Sequence, residues 1–283
     1  MGTRGAKRTK NYKIIRFVIF LMILGIIITG IVMIYKKPVK QVHFSIDDAT
    51  LILQDIQYHE YDSIFDNPIL QDLRNLHEDY GVVVTLYVFG ELADYAIWDT
   101  SLTYKNEFRA NADWLKIGFH SGSDLTPKQD YANIDEFAYK LRRTNSAICR
   151  LAGEESLSPV LRLHYWYAGD EEVGILKQEG ITGLLCNDNE GGSYNLTKEQ
   201  VLKLNTSRDG ILRSNEITYY KTDIRLENVD EITEYLEEHK KDRMVVIFTH
   251  AWCFMDNAHK LKEAVLWFAE KEYQFTDLYT DKE

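Results

Sequence analysis

Short runs rich in β-branched and aromatic residues alternate along this chain with longer segments in which apolar residues return every three or four positions. The runs at 42–46, 82–89, 115–119, 160–163, 183–186, 244–249 and 273–276 are apolar on successive positions, as strands are when helices cover both faces of a parallel sheet. Between the second and first of these, Asn67-Pro68 makes a helix start, Leu70, Leu73 and Leu76 make one stripe, and Gly81 stops the helix after Tyr80. Segments 134–151 before Gly153, 170–179 before Gly180, 230–239 and 257–271 follow the same grammar. The expected architecture is a series of βα units forming a parallel sheet or barrel in one α/β domain. In such folds the chemistry gathers at strand C-termini.

Residues 17–35 break the alternation. FVIFLMILGIIITGIVMIY carries no charge over nineteen residues, and at ~1.5 Å per residue it approaches a ~30 Å hydrocarbon core. Arg4, Lys7, Arg8, Lys10, Lys13 and Arg16 precede it, and Lys36, Lys37 and Lys40 follow; this bias puts the N-terminus in the cytoplasm. No A-x-A-like cleavage site follows the run, unlike a secretory signal peptide. The expected organisation is a basic cytoplasmic tail (1–16), a transmembrane helix (17–35), a short linker (36–41) and a domain outside the cell membrane (42–283).

Composition sharpens this picture through its asymmetry. The first 40 residues hold nine of the 33 Lys and Arg and no acid, which leaves 24 basic residues against all 44 acidic ones in the remainder. An outer domain at −20 repels phosphate, so nucleic acid is excluded as its partner. Cys149, Cys186 and Cys253 are odd in number and sit in apolar segments; they read as small buried hydrophobes, not as a disulfide framework.

Polar groups recur where the strands end. The first run ends in Asp47-Asp48, and adjacent carboxylates repel unless they share a proton or a cation. The third ends in His120-Ser121-Gly122-Ser123-Asp124, an imidazole and a carboxylate in a small-residue loop, both able to converge on one ion. The fourth ends in Arg162-Leu163-His164-Tyr165, the fifth in Asn187-Asp188, and the penultimate in Phe248-Thr249-His250. Each has an ordinary reading as a cap, a turn or a satisfied core residue. Five such groups on one mouth are harder to assign to coincidence.

In this order the motifs resemble the polysaccharide deacetylase family, the NodB-homology or chitin deacetylase-like proteins, over about residues 42–280. Phe44-Ser45-Ile46-Asp47-Asp48 is similar to T-F-D-D-G, with Ala49 for the Gly. His120 to Asp124 is similar to H-[ST]-x-[ST]-H, with Asp124 for the second His. Arg162 to Tyr165 is similar to R-x-P-[FY], with His164 for the Pro, and Phe248-Thr249-His250 to L-x-H. The resemblance implies a distorted (β/α) barrel and a membrane-anchored, metal-dependent hydrolase that removes acetyl groups, N-acetyl first, from an extracytoplasmic polysaccharide. Carried over by position, it implies Asp47 as general base and Asp48, His120 and Asp124 as ligands of one divalent metal. Zn²⁺ leads, with Mn²⁺, Fe²⁺, Co²⁺ and Ni²⁺ as alternatives. It further implies Arg162 as the group orienting Asp47, the Tyr165 N–H as an oxyanion donor, Asp188 as a steadying charge and His250 as general acid. With His164 in place of Pro, that turn also gains an imidazole near the site.

Two other functions fit parts of the pattern: a degenerate deacetylase fold that only binds glycan or a partner, and a glycosidase using Asp48 and Asp188 across a cleft. The segment 191–229 is longer than two strands need, and its ITYYKTDIRLE run reads as an added hairpin shaping substrate access.

Overall fold

The computed structural model describes residues 18–24, 39–187, 191–207 and 209–278. The chain divides into two compact units, residues 1–39 and residues 40–283. In the first, residues 18–24 are helical with exposed apolar side chains. The remainder of the expected spanning segment, residues 17 and 25–35, lies outside the described residues, as does the basic tail. Among the described residues no helix is long and apolar enough to cross a membrane.

The second unit is an α/β fold built on parallel sheet. Its elements run β1 (Gln41–Asp47), α1 (Thr50–His59), α2 (Pro68–Tyr80), β2 (Val84–Glu91), α3 (Lys105–Ala110), β3 (Leu115–Ser123) and α4 (Ile134–Ala152). They continue with β4 (Val160–Leu161), α5 (Asp170–Gln178), β5 (Gly183–Leu185), α6 (Lys198–Thr206), β6 (Ile211–Ser214) and β7 (Ile217–Tyr220). The last are β8 (Ile224–Arg225), α7 (Ile232–His239), β9 (Met244–His250), α8 (Phe254–Glu270) and β10 (Gln274–Phe275). One sheet has the order β3-β2-β1-β9-β8 with β10 also against β1, and the other β4-β5-β7-β6; among the described strands only β6 and β7 pair antiparallel. A parallel bridge from Ile117 to Leu157 joins the edge of β3 to the segment entering β4.

Each sequence signal has a local physical counterpart. Asn67 caps α2 by accepting hydrogen bonds from the Ile69 and Leu70 N–H groups at 3.1 Å, Pro68 fills the first position, and Gly81 closes the helix at φ 70°. Leu70, Leu73 and Leu76 are buried together, each contributing roughly 1.5–3 kcal/mol. β1 is buried from Val42 to Asp47 because strands lie on both sides of it and helices cover its faces.

Three expectations change. The run 217–220 is not an added hairpin: β7 pairs with β6 as a hairpin but also parallel to β5, so it belongs inside the second sheet. Ile224–Arg225 likewise joins β9 in the first sheet. Helices α1, α3 and α6 were not among the expected ones, although α1 buries Ile52, Leu53 and Ile56 and α6 buries Val201 and Leu204 at helical spacing. Finally, residues 121–123 are not a loop; β3 continues through Ser123, paired to Glu91.

Candidate functional site

The C-terminal ends of β1, β3, β4 and β9 carry the polar groups that the sequence singled out. β1 and β9 are in register so that Asp47 stands opposite His250. β2 and β3 lose register between Val88 and Phe89: Val88 faces Phe119 and Phe89 faces Ser121, which leaves His120 as the extra residue of a bulge. Bulges of this kind re-aim a side chain. Gly90 lets the two strands stay close beyond it, since a Cβ there would meet the Gly122 carbonyl oxygen at 2.8 Å.

His120 is buried, and its Nδ1 donates to the Arg162 main-chain carbonyl at 2.5 Å. A carbonyl only accepts, so the tautomer is fixed and Nε2 is left to face Asp48 Oδ1 at 3.5 Å. Two lone pairs at that distance repel unless a proton or a cation lies between them. Burial alone would push His120 down and Asp48 up. Their close approach, with the Asp47 charge acting on His120, outweighs burial and moves His120 up and Asp48 down. Asp48 itself adopts φ 55°, a left-handed conformation that Asp tolerates better than most residues.

His164 completes this group: one donor atom from each of Asp48, His120 and His164 lies within 4.8 Å of the others. The buried Asp48 Oδ1 and His164 Nδ1 make no hydrogen bond, and the Leu125 backbone, which acts on His164, does not reach bonding geometry with that nitrogen. Burial, then the neighbouring His120, pulls His164 down to about 4, so its imidazole is neutral at pH 7. Two imidazoles and a carboxylate are a fitting donor set for a borderline divalent ion. Ligands at ~2.0–2.2 Å from such an ion lie roughly 3.3–3.6 Å apart, the separation that Asp48 and His120 already have. The residues present therefore fit a divalent metal.

Asp124 is not brought into this group. Because β3 stays extended to Ser123, at ~3.3 Å per residue, the chain carries Asp124 past the site, where it is exposed. The segment is held there by Asp130, a buried carboxylate that accepts from Ser121 Oγ and Ser123 Oγ at 2.6 Å, Gly122 N–H at 3.1 Å and Lys140 Nζ at 2.9 Å. Asp188 lies outside the described residues.

Arg162 is wholly buried. Its Nη1 donates to Thr222 Oγ1 at 2.8 Å, its Cζ sits 4.1 Å from the Phe248 ring centroid, and its Nε is 3.3 Å from Asp47 Oδ1. That last contact is an ion pair without hydrogen-bond alignment. Burial raises Asp47 above the ordinary carboxylate range, and Arg162 pulls in the opposite direction. Tyr165 has an exposed ring, tilted against His164 with centroids 4.2 Å apart, and a left-handed backbone.

On the other side of the mouth His250 Nδ1 makes a short hydrogen bond to Glu227 Oε1. Glu227 also accepts from Arg225 Nε at 2.8 Å and Thr249 Oγ1 at 3.1 Å. Burial opposes ionisation, but the bond from His250 and these neighbours hold Glu227 at about 2. Glu227 is the site residue that sequence reasoning missed; it follows β8, a two-residue strand inside the run read as an added hairpin. Trp252, largely exposed, was missed too: its indole N–H donates to Asp48 Oδ2 at 3.1 Å and its ring lies 5.2 Å from that of His250.

No family model matches the chain, and no curated protein matches it. Among solved structures it is similar to a family 4 carbohydrate esterase from Bacillus anthracis, with 16% identity, a TM-score of 0.42, and coverage of 84% of this chain and 79% of that one. It is also similar to a Streptococcus mutans CE4 esterase, with 11% identity, a TM-score of 0.45, and coverage of 84% of this chain and 85% of that one.

Proposed function

We propose that this protein is a metal-dependent hydrolase that removes acetyl groups, N-acetyl first, from an extracytoplasmic polysaccharide, on a distorted (β/α) barrel anchored to the membrane through residues 17–35. The observation that carries this reading is the pairing of two separate sets at one mouth. A buried carboxylate, Asp47, lies beside the Asp48–His120–His164 group, and an imidazole, His250, is oriented by a carboxylate of its own.

A divalent cation held by Asp48 and His120 with a third donor would polarise the acetyl carbonyl and lower the pKa of water at the site towards ~7. Asp47, raised by burial and faced by Arg162, takes the proton of the attacking water. His250 has Nδ1 committed to Glu227, so Nε2 is the atom that delivers a proton to the departing amine. Glu227 stays anionic and stabilises the imidazolium that this role requires. The Tyr165 N–H serves as oxyanion donor and Asp188 steadies the charges; the exposed Tyr165 and Trp252 rings offer apolar faces to a sugar.

Asp47→Asn tests the assignment. It should abolish acetate release from N-acetylated chito-oligosaccharides or peptidoglycan fragments while leaving the far-UV circular dichroism of the folded protein in place. Undiminished turnover in that variant would remove Asp47 from the reaction.

A further inference from the structure

We propose that His164, and not Asp124, is the third protein ligand of the divalent cation, so that the turn presenting the Tyr165 main chain is itself fastened by the metal. This rests on the metal-dependent reading above. His164 Nδ1 and Asp48 Oδ1 are both buried without a hydrogen bond, and one donor atom from each of Asp48, His120 and His164 lies within 4.8 Å of the others. Unpaired polar atoms inside a protein are costly, and two in one cluster, beside the His120 Nε2 that faces Asp48 at 3.5 Å, call for a shared partner.

The two imidazoles are also held for the purpose by one wall. Phe89, buried at the bulge, packs against His120 with centroids 5.1 Å apart and edge-on against His164 at 4.9 Å, and the imidazoles lie 5.2 Å from each other. Asp124 has no counterpart to this, being exposed beyond the end of β3.

His164 opens a tight turn in which the Trp166 N–H donates to the Leu163 carbonyl at 2.8 Å. Within it Tyr165 and Trp166 both have left-handed backbones, at φ 56° and 50°. Bulky aromatic residues hold that conformation only where the surroundings enforce it. Ligation of His164 supplies such a constraint, one that a proline at this position would lack. Cation occupancy and the shape of the turn around Tyr165 are then one equilibrium.

The test uses the full chain, loaded with Zn²⁺ or Co²⁺, and measures metal per chain, the visible spectrum of bound Co²⁺ and amide hydrogen exchange. The variants are Asp48→Ala, His164→Ala, the bulkier His164→Gln, and Asp124→Ala. One ion per chain is expected in the wild type and in Asp124→Ala with the same Co²⁺ spectrum. Affinity should fall by about 100-fold or more in Asp48→Ala and in both His164 variants, and Zn²⁺ should slow exchange at residues 165–167. Wild-type affinity in both His164 variants, with loss in Asp48→Ala, would overturn the proposal and leave the metal-dependent reading standing. A bound ion that leaves exchange at residues 165–167 unchanged would overturn it as well. No binding of either ion by the wild type would overturn both.

Discussion

The main-chain carbonyl of Arg162 accepts the hydrogen bond that orients His120, at 2.5 Å, while the guanidinium of the same residue faces Asp47 at 3.3 Å. One buried residue therefore sets both the tautomer of the His120 imidazole and the charge balance of the Asp47 carboxylate beside it. Arg162→Met removes only the second function and leaves Asp47 buried without its cation. That variant should lose roughly 3–5 kcal/mol of unfolding free energy in urea, and Asp47→Asn in the same chain should recover most of the loss. Additive losses in the double variant would mean that the two side chains do not interact.

Glu227 acts through His250. Glu227→Gln keeps a group of the same shape but removes the charge that supports an imidazolium. The expected result is a kcat lower by a factor on the order of 10², with KM nearly unchanged and unfolding unaffected. A change confined to KM would place Glu227 in substrate binding instead.

Asp130 keeps β3 extended beyond His120. Asp130→Ala strands Ser121, Ser123 and Lys140 without their acceptor and should cost about 3 kcal/mol, measured by thermal or urea unfolding. The carboxyl is held below its ordinary value: burial opposes this, but the bonds from the two serines and Lys140 prevail. Its stabilisation is thus present above about pH 3.8 and is lost as pH falls through the lowered value. A wild type and a variant with equal stability at pH 7 would contradict this role.

His43 adds a second loss of stability in acid, through a group that folding keeps neutral. It is buried within β1, and burial pulls it down to about 4 even though the hydrogen bond from Nδ1 to the Thr276 carbonyl works the other way. The unfolded chain takes up this proton near pH 6.5, the folded chain only near 4, so folding is penalised as pH falls through that window. Between pH 6.5 and about 4 the wild type should lose on the order of 3 kcal/mol more unfolding free energy than His43→Gln. Parallel curves for the two proteins would contradict it.

Much of this was legible in the chain. Asn67-Pro68 and Gly81 are local signals with local causes, and α2 begins and ends where they stand. The apolar runs announced the central strands because burial on both faces demands them. What could not be read was set by partners distant in sequence. β8 is two residues long and exists because β9 offers it an edge, so Glu227 fell unremarked at the end of a run read as an added hairpin. His120 and Asp124 looked convergent because four residues can turn a loop, but pairing to β2 and the anchor at Asp130 keep that stretch straight. The imidazole that joins Asp48 and His120 comes instead from His164, 44 positions along from His120, where only the packing around Phe89 brings the rings together.

Hydrolysis of acetyl groups at the mouth lined by Asp47, Asp48, His120 and His250 is read by counting products in one reaction on an N-acetylated polysaccharide: acetate, new free amines and new reducing ends, with and without chelator. Acetate and amine are expected in equal amounts, with no reducing ends, and both products should be lost on chelation. Reducing ends without acetate, or acetate release indifferent to chelation, would contradict it.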